Sequence, residues 1–119
     1  MSLADIVQRG WEAVGRGDFD TLVEDYDENM VFIMPGQSNI LEGRQAFRAA
    51  LDGLGEILPP GFEINGLRQI EGENEVITIL EWKSEKVTDS QLSVLFKFSG
   101  TKIYEERWFI DTEQWKSAF

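Results

Sequence analysis

The chain contains neither histidine nor cysteine, so any proton chemistry falls to carboxylates, tyrosines, lysines and arginines. Serine–histidine triads, thiolate nucleophiles, disulfides and zinc sites built on those two residues are excluded together. Within the remaining set one stretch stands out. Residues 102–111 read KIYEERWFID, two adjacent glutamates inside an apolar and aromatic run. On a β-strand, side chains alternate between faces. Ile103, Glu105, Arg107 and Phe109 then share one face, and Tyr104, Glu106, Trp108 and Ile110 the other. The first sets a glutamate beside an arginine and suits a partly wet surface. The second surrounds Glu106 with aromatic and aliphatic groups and no cation. Burial there would raise the carboxyl pKa and let Glu106 act as a general acid/base near neutral pH. The alternative is a rim position, with Glu106 reaching water or pairing with Lys102 or Arg107.

Tyr26 is the second catalytic candidate, since its phenol could orient a carbonyl group. Against this stands a core position with the hydroxyl at the surface. Tyr104 divides the same way. Trp11, Trp82, Trp108 and Phe96 either wall an aromatic pocket for a flat hydrophobic ligand or fill an ordinary core. Arg9, Arg16, Arg44 and Arg48 read as solvated. The clusters Glu24-Asp25-Asp27-Glu28 and Glu71-Glu73-Glu75 lack the glycine-punctuated spacing of a calcium loop and read as solvated faces. Neither a metal nor a cofactor is expected.

The elements that must position these groups follow from size and periodicity. A chain of 119 residues and 13.6 kDa predicts one domain over 1–119. Hydrophobic content of 42%, with 12% aromatic residues, is enough for a core. The formal charge of −11 argues against nucleic acid or an anionic membrane as partner. No run approaches the roughly 20 apolar residues of a membrane span, and MSLADIVQRGW has no basic, apolar leader pattern. A cytoplasmic protein is the expectation.

Leu3, Ile6, Val7, Trp11 and Val14 form one helical stripe, with Ser2 and Asp5 in capping-box spacing and a stop at Gly15-Arg16-Gly17. A second helix from Asp18 would carry Phe19, Leu22, Val23 and Tyr26. A short strand, 30–34, ends at the turn signal Pro35-Gly36. A third helix over about 43–54 turns Phe47, Ala50, Leu51 and Leu54 inward, and 53–62 reads as a loop. Strands are then predicted at about 62–70, 75–86, 91–99 and 102–110, joined by EGEN, VTDS and SGT. Asp111 and Gln114 open a short terminal helix. Helices followed by a meander indicate an α+β fold.

Three segments, GRGDFD, LVEDYDENMVFIMPG and LEGRQAFRAAL, followed late in the chain by FKFSGTKIYEERWFID, resemble the nuclear transport factor 2-like superfamily, which includes ketosteroid isomerases and SnoaL-like polyketide cyclases. The resemblance covers nearly the whole chain. It implies a cone-shaped, curved antiparallel sheet with helices packed in its concave face. It also implies that the isomerase acid–base set is absent. The aspartate base falls on Met34, the oxyanion-hole tyrosine on Gly10 and the protonated aspartate on Val94. The limonene-epoxide-hydrolase branch would need an acid at Trp108 and an inward Arg-x-Asp pair, where Glu81 and Lys83 fall on the outer face.

The resemblance directs Val94, Phe96, Phe98, Leu80, Trp82, Tyr104, Glu106 and Trp108 into the cone, with Thr78 and Ser84 as further candidates. With Val14 and Met34 these make the expected pocket for a small hydrophobic molecule. The alternative is a cofactor-independent isomerase, dehydratase or cyclase using Glu106 and Tyr26. Ile77, Ile79 and Leu95 make the outer sheet face apolar, so a homodimer through that face is expected, as the superfamily often pairs there.

Overall fold

The computed structural model describes residues 1–35 and 40–119. The first helix, α1 (Leu3–Gly15), opens with the capping box foreseen: Ser2 Oγ accepts from the Asp5 amide, and the Asp5 carboxylate accepts from the Ser2 amide. It buries Ile6, Val7 and Ala13. Gly17, at φ +72°, turns the chain after it.

Asp18 caps α2 (Phe19–Val23), which is only five residues long. The chain leaves the helix before Tyr26 because it joins the sheet there. The Asp25 carbonyl accepts from the Ile103 amide at 2.8 Å, and Tyr26 opens β1 (Tyr26–Ile33). Tyr26 is thus the first residue of a strand and not the end of a helical stripe. Of the turn expected at Pro35-Gly36, Gly36 lies outside the described residues.

A two-residue strand, β2 (Leu41–Glu42), precedes α3 (Arg44–Leu51), whose Phe47 and Leu51 are buried. Part of the expected loop is helical, as α4 (Leu54–Ile57). The meander follows as β3 (Glu63–Gly72), β4 (Glu75–Lys83), β5 (Ser90–Ser99) and β6 (Lys102–Phe109), and α5 (Thr112–Ser117) closes the chain. β4 stops earlier than expected because Ser84 turns the chain: its amide donates to the Val87 carbonyl and its hydroxyl accepts from the Lys86 and Val87 amides.

The six strands form one unclosed sheet ordered β2-β1-β6-β5-β4-β3. The meander is antiparallel, and β1 extends it through a parallel pairing with β6. The result is the α+β cone, with α1 packed against β3 and β4 and α3 against β1. A polar chain fixes α1 on the sheet. Trp11 Nε1 donates to Thr78 Oγ1 at 3.0 Å, the Thr78 hydroxyl donates to Gln69 Oε1, and Gln69 Nε2 donates to Gln8 Oε1 at 3.2 Å. Thr78 is fully buried, so this network must be satisfied internally.

One irregularity decides the orientation of β6. Lys97 pairs with Glu105, but the next residue, Phe98, pairs with Ile103. The extra residue on β6 is a bulge, and it places Tyr104 and Glu105 both on the outer side. Ile103 is buried and Tyr104 is 42% exposed. The inward position expected for Tyr104 is therefore taken by Ile103, while Glu106 keeps the inward direction that alternation assigns.

Candidate functional site

Between the concave sheet face and the helices lies a cavity of about 140 Å³. The β1–β6–β5 register sets Phe32, Glu106 and Phe96 side by side. Trp11 and Val14 of α1 and Phe47 of α3 close over them, and Leu54, Ile57 and Leu58 form another wall. The lining is almost wholly apolar. Trp108 is tilted against Trp11, centroids 6.4 Å apart, and against Phe32 at 6.3 Å, while Phe32 and Phe47 stack at 5.7 Å.

Glu106 is the exception. Its side chain lies in this wall and is 7% exposed. Tyr26 Oη donates to Oε1, and Trp108 Nε1 donates to Oε2 at 2.8 Å. Burial pushes the carboxyl above the usual carboxylate range, and the bonds from Trp108 and Tyr26 pull it partly back. The Tyr26 phenol is held well above its ordinary value, first by burial, then by the Glu106 charge and the bond to it. Tyr26 is 2% exposed, so its hydroxyl is an interior group and not a surface one.

The cations expected as alternative partners go elsewhere. Arg107 Nε donates to Glu105 Oε2 at 3.2 Å, with Lys97 Nζ 3.6 Å from the same oxygen. Lys102 Nζ donates to the Glu24 carbonyl. Among the described residues no ion pair includes Glu106. Asp25 also touches the cavity, but Arg9 holds it in a forked pair, Nε at 3.2 Å and Nη2 at 2.6 Å. Arg9 is thus engaged in this pair and not merely solvated. Among the described residues no three carboxylates converge to hold a metal ion.

Of the residues expected at the pocket, Val14, Phe96 and Trp108 line the cavity together with Tyr26 and Glu106. Leu80 and Val94 are buried in the core beyond it. Trp82 is off the cavity wall, in an aromatic cluster 5.3 Å from Trp115 and 5.8 Å from Phe62, and of these three only Phe62 reaches the cavity. Trp82 Nε1 is buried with no hydrogen-bond partner. Met34 lies past the end of β1, half-buried against the core and off the cavity wall. Tyr104 is outside, on the bulge. Thr78 serves the Trp11 bond and Ser84 the turn after β4. Phe32 and Ile103 were not anticipated as lining. For Phe32 the signal was present in the alternation Met30-Phe32-Met34, whereas Ile103 is inward only because of the bulge.

This arrangement defines a class: a nuclear transport factor 2-like cone whose hollow carries a carboxyl held by two neutral donors, with no ion-pair partner among the described residues. The SnoaL-like domain family matches residues 7–106, and the chain belongs to that family. Among solved structures, Bal32a from a soil-derived mobile gene cassette is 26% identical, with 98% of this chain and 95% of that one covered at a TM-score of 0.81. An NTF2-like protein of unknown function from Cytophaga hutchinsonii is 17% identical over 96% and 94%, TM-score 0.75. TerC, co-crystallized with polyporic acid, is 13% identical over 98% and 97%, also at 0.75. None of the curated proteins matches the chain. No helix of the described residues is long and apolar enough to cross a membrane.

Proposed function

We propose that the chain is a single SnoaL-like domain that binds a small, mostly apolar molecule inside the cone. The observation that carries this reading is the aromatic-walled cavity of about 140 Å³ inside the cone. An apolar cavity of about 150 Å³ takes up benzene, so a single-ring ligand matches the space. The co-crystallization of TerC with polyporic acid supports a small-molecule role for this kind of cone. Binding of single-ring probes to the wild type, read by thermal shift and tryptophan fluorescence, tests it. Ala50→Phe, which fills the cavity from α3, is expected to abolish the response. A panel of such probes that leaves the wild type unmoved refutes the reading.

A second reading has its own support in the buried Glu106–Tyr26 bond. An acid raised by burial can take a proton from a carbon next to a carbonyl and return it elsewhere. Once Glu106 is protonated it can donate to the Tyr26 oxygen, turning the phenol hydrogen toward the cavity as an assisting donor. Isomerisation, dehydration or cyclisation without a cofactor fits this pair. Glu106→Gln is expected to abolish turnover of a neutral carbonyl compound while leaving folding and affinity for that compound largely intact, and an unchanged rate refutes the enzymatic reading.

Pairing of two copies through the outer sheet face completes the proposal. Ile70, Ile77 and Leu95 lie in one cross-strand row there, with Ile79 and Phe109 in the next. Ile70, Ile77 and Phe109 are exposed. Light scattering that finds only a 13.6 kDa species refutes a dimer.

A further inference from the structure

We propose that the molecule this cavity selects is a small organic ammonium, a protonated amine on a single-ring apolar body. The inference rests on the ligand-pocket reading above and adds the sign of the ligand's charge.

The hydrogen-bonding inventory of the wall points one way. The Tyr26 hydroxyl and the Trp108 indole N–H are both spent on Glu106. The Trp11 indole N–H is spent on Thr78. The Arg9 fork, behind Asp25, is spent on that carboxylate. With Glu106 ionised, the side chains at the wall therefore offer no free donor. They do offer an acceptor, because a carboxylate has about four lone-pair positions and only two are filled. The group that completes the site is a donor.

Charge narrows the choice further. Glu106 is a carboxyl removed from water with no cation beside it, which is costly for its ionised form. A ligand cation in contact with it supplies the missing partner. The rings of Trp11, Trp108, Phe32 and Phe47 surround the same space, and aromatic faces attract ammonium groups at about 6 Å or less. At longer range the −11 charge of the chain draws cations toward the cavity and repels anions. A carboxylate or enolate ligand would meet a like charge and no donor. The wall thus selects for one sign and against the other.

Benzylamine, toluene and benzoate share one apolar body and differ in charge, so they separate the terms. Isothermal titration at neutral pH is expected to show benzylamine binding at least about tenfold tighter than toluene, the scale of one charge-assisted hydrogen bond, with no detectable benzoate binding. In Glu106→Gln the preference of benzylamine over toluene is expected to vanish. Toluene equal to or tighter than benzylamine in the wild type overturns the inference and leaves the pocket reading standing, as does a preference for benzoate. If none of the three binds, both fall. The wild-type comparison decides by itself should the variant fail to fold.

Discussion

Glu106 and Trp108 stand two residues apart on the inner face of β6, and the indole of the second donates to the carboxyl of the first at 2.8 Å. A two-residue step returns to the same face of a strand, so the sequence itself supplies the acid with one of its partners. The other comes from 80 residues away, the Tyr26 hydroxyl on β1. The two bonds favour the charged form and offset part of the burial that opposes it.

Removing one bond shows how they share that role. Tyr26→Phe keeps the ring against Phe47, 5.0 Å away, and deletes only the donor. We expect a loss of about 1–3 kcal/mol in folding stability, the usual cost of leaving one member of a buried polar pair unsatisfied. The Glu106 carboxyl should also titrate at higher pH than in the wild type, because a bond to its charged form is gone. A carbon-detected NMR titration of the carboxyl measures this, and an unmoved or lowered midpoint contradicts the assignment.

The pH dependence of stability follows from the direction of the Glu106 shift. Native Glu106 keeps its proton to higher pH than a glutamate in the unfolded chain, which titrates near 4.3. Between those two values the native state binds more protons, so stability falls as pH rises. The contribution is fully present below about 4.3 and lost as pH climbs through the raised value. Glu106→Gln lacks this dependence. Plotted against pH, the unfolding free energy of wild type minus that of the variant should decline across that window and level off above it. Two parallel curves would mean that Glu106 titrates normally.

How far the site was legible in the sequence depends on what kind of regularity carries each residue. The inward direction of Glu106 and Trp108 follows from period-two alternation near the end of β6, which is undisturbed there. Tyr104 breaks the rule because a bulge inserts one residue without changing composition, and nothing in KIYEE marks the spot. Phe19, Leu22, Val23 and Tyr26 have helical spacing, which points Tyr26 to a helix, while the polar run at 27–29 disguises the strand it belongs to. What ends that helix is a contact with β6, a parallel pairing between distant segments that local periodicity cannot encode. The boundary of the cavity has the same origin. Leu80, Trp82 and Val94 face inward as alternation requires, but whether an inward residue meets space or packing depends on which helix lies over it.

Thr78 tests that packing. It accepts from Trp11 Nε1 at 3.0 Å and donates to Gln69, so it ties the helix over the cavity to the sheet. Thr78→Val conserves the shape and removes both bonds, leaving the Trp11 N–H without its partner. We expect about 1–3 kcal/mol of destabilisation in urea unfolding, with the slope unchanged because the same surface is exposed on unfolding. An effect under a few tenths would show that water replaces Thr78 and that α1 is not held by this bond.

Gly10 offers the opposite experiment, a gain. It sits inside α1, where glycine costs about 1 kcal/mol relative to alanine, and it lines the cavity. A Cβ built there meets one atom closely, Leu22 Cδ1 at 3.2 Å. That atom is the end of a flexible side chain, and Leu22 itself borders the cavity, so it has room to move. Helix propensity should therefore win over the contact, and Gly10→Ala should stabilise the chain by about 0.5–1 kcal/mol. The added methyl also takes up cavity space, so the affinity for toluene should fall in the same variant. Thermal unfolding and titration on one preparation read both effects. A destabilised protein would show instead that Leu22 is fixed, and that the cavity beside α1 is too rigid to yield to a methyl group.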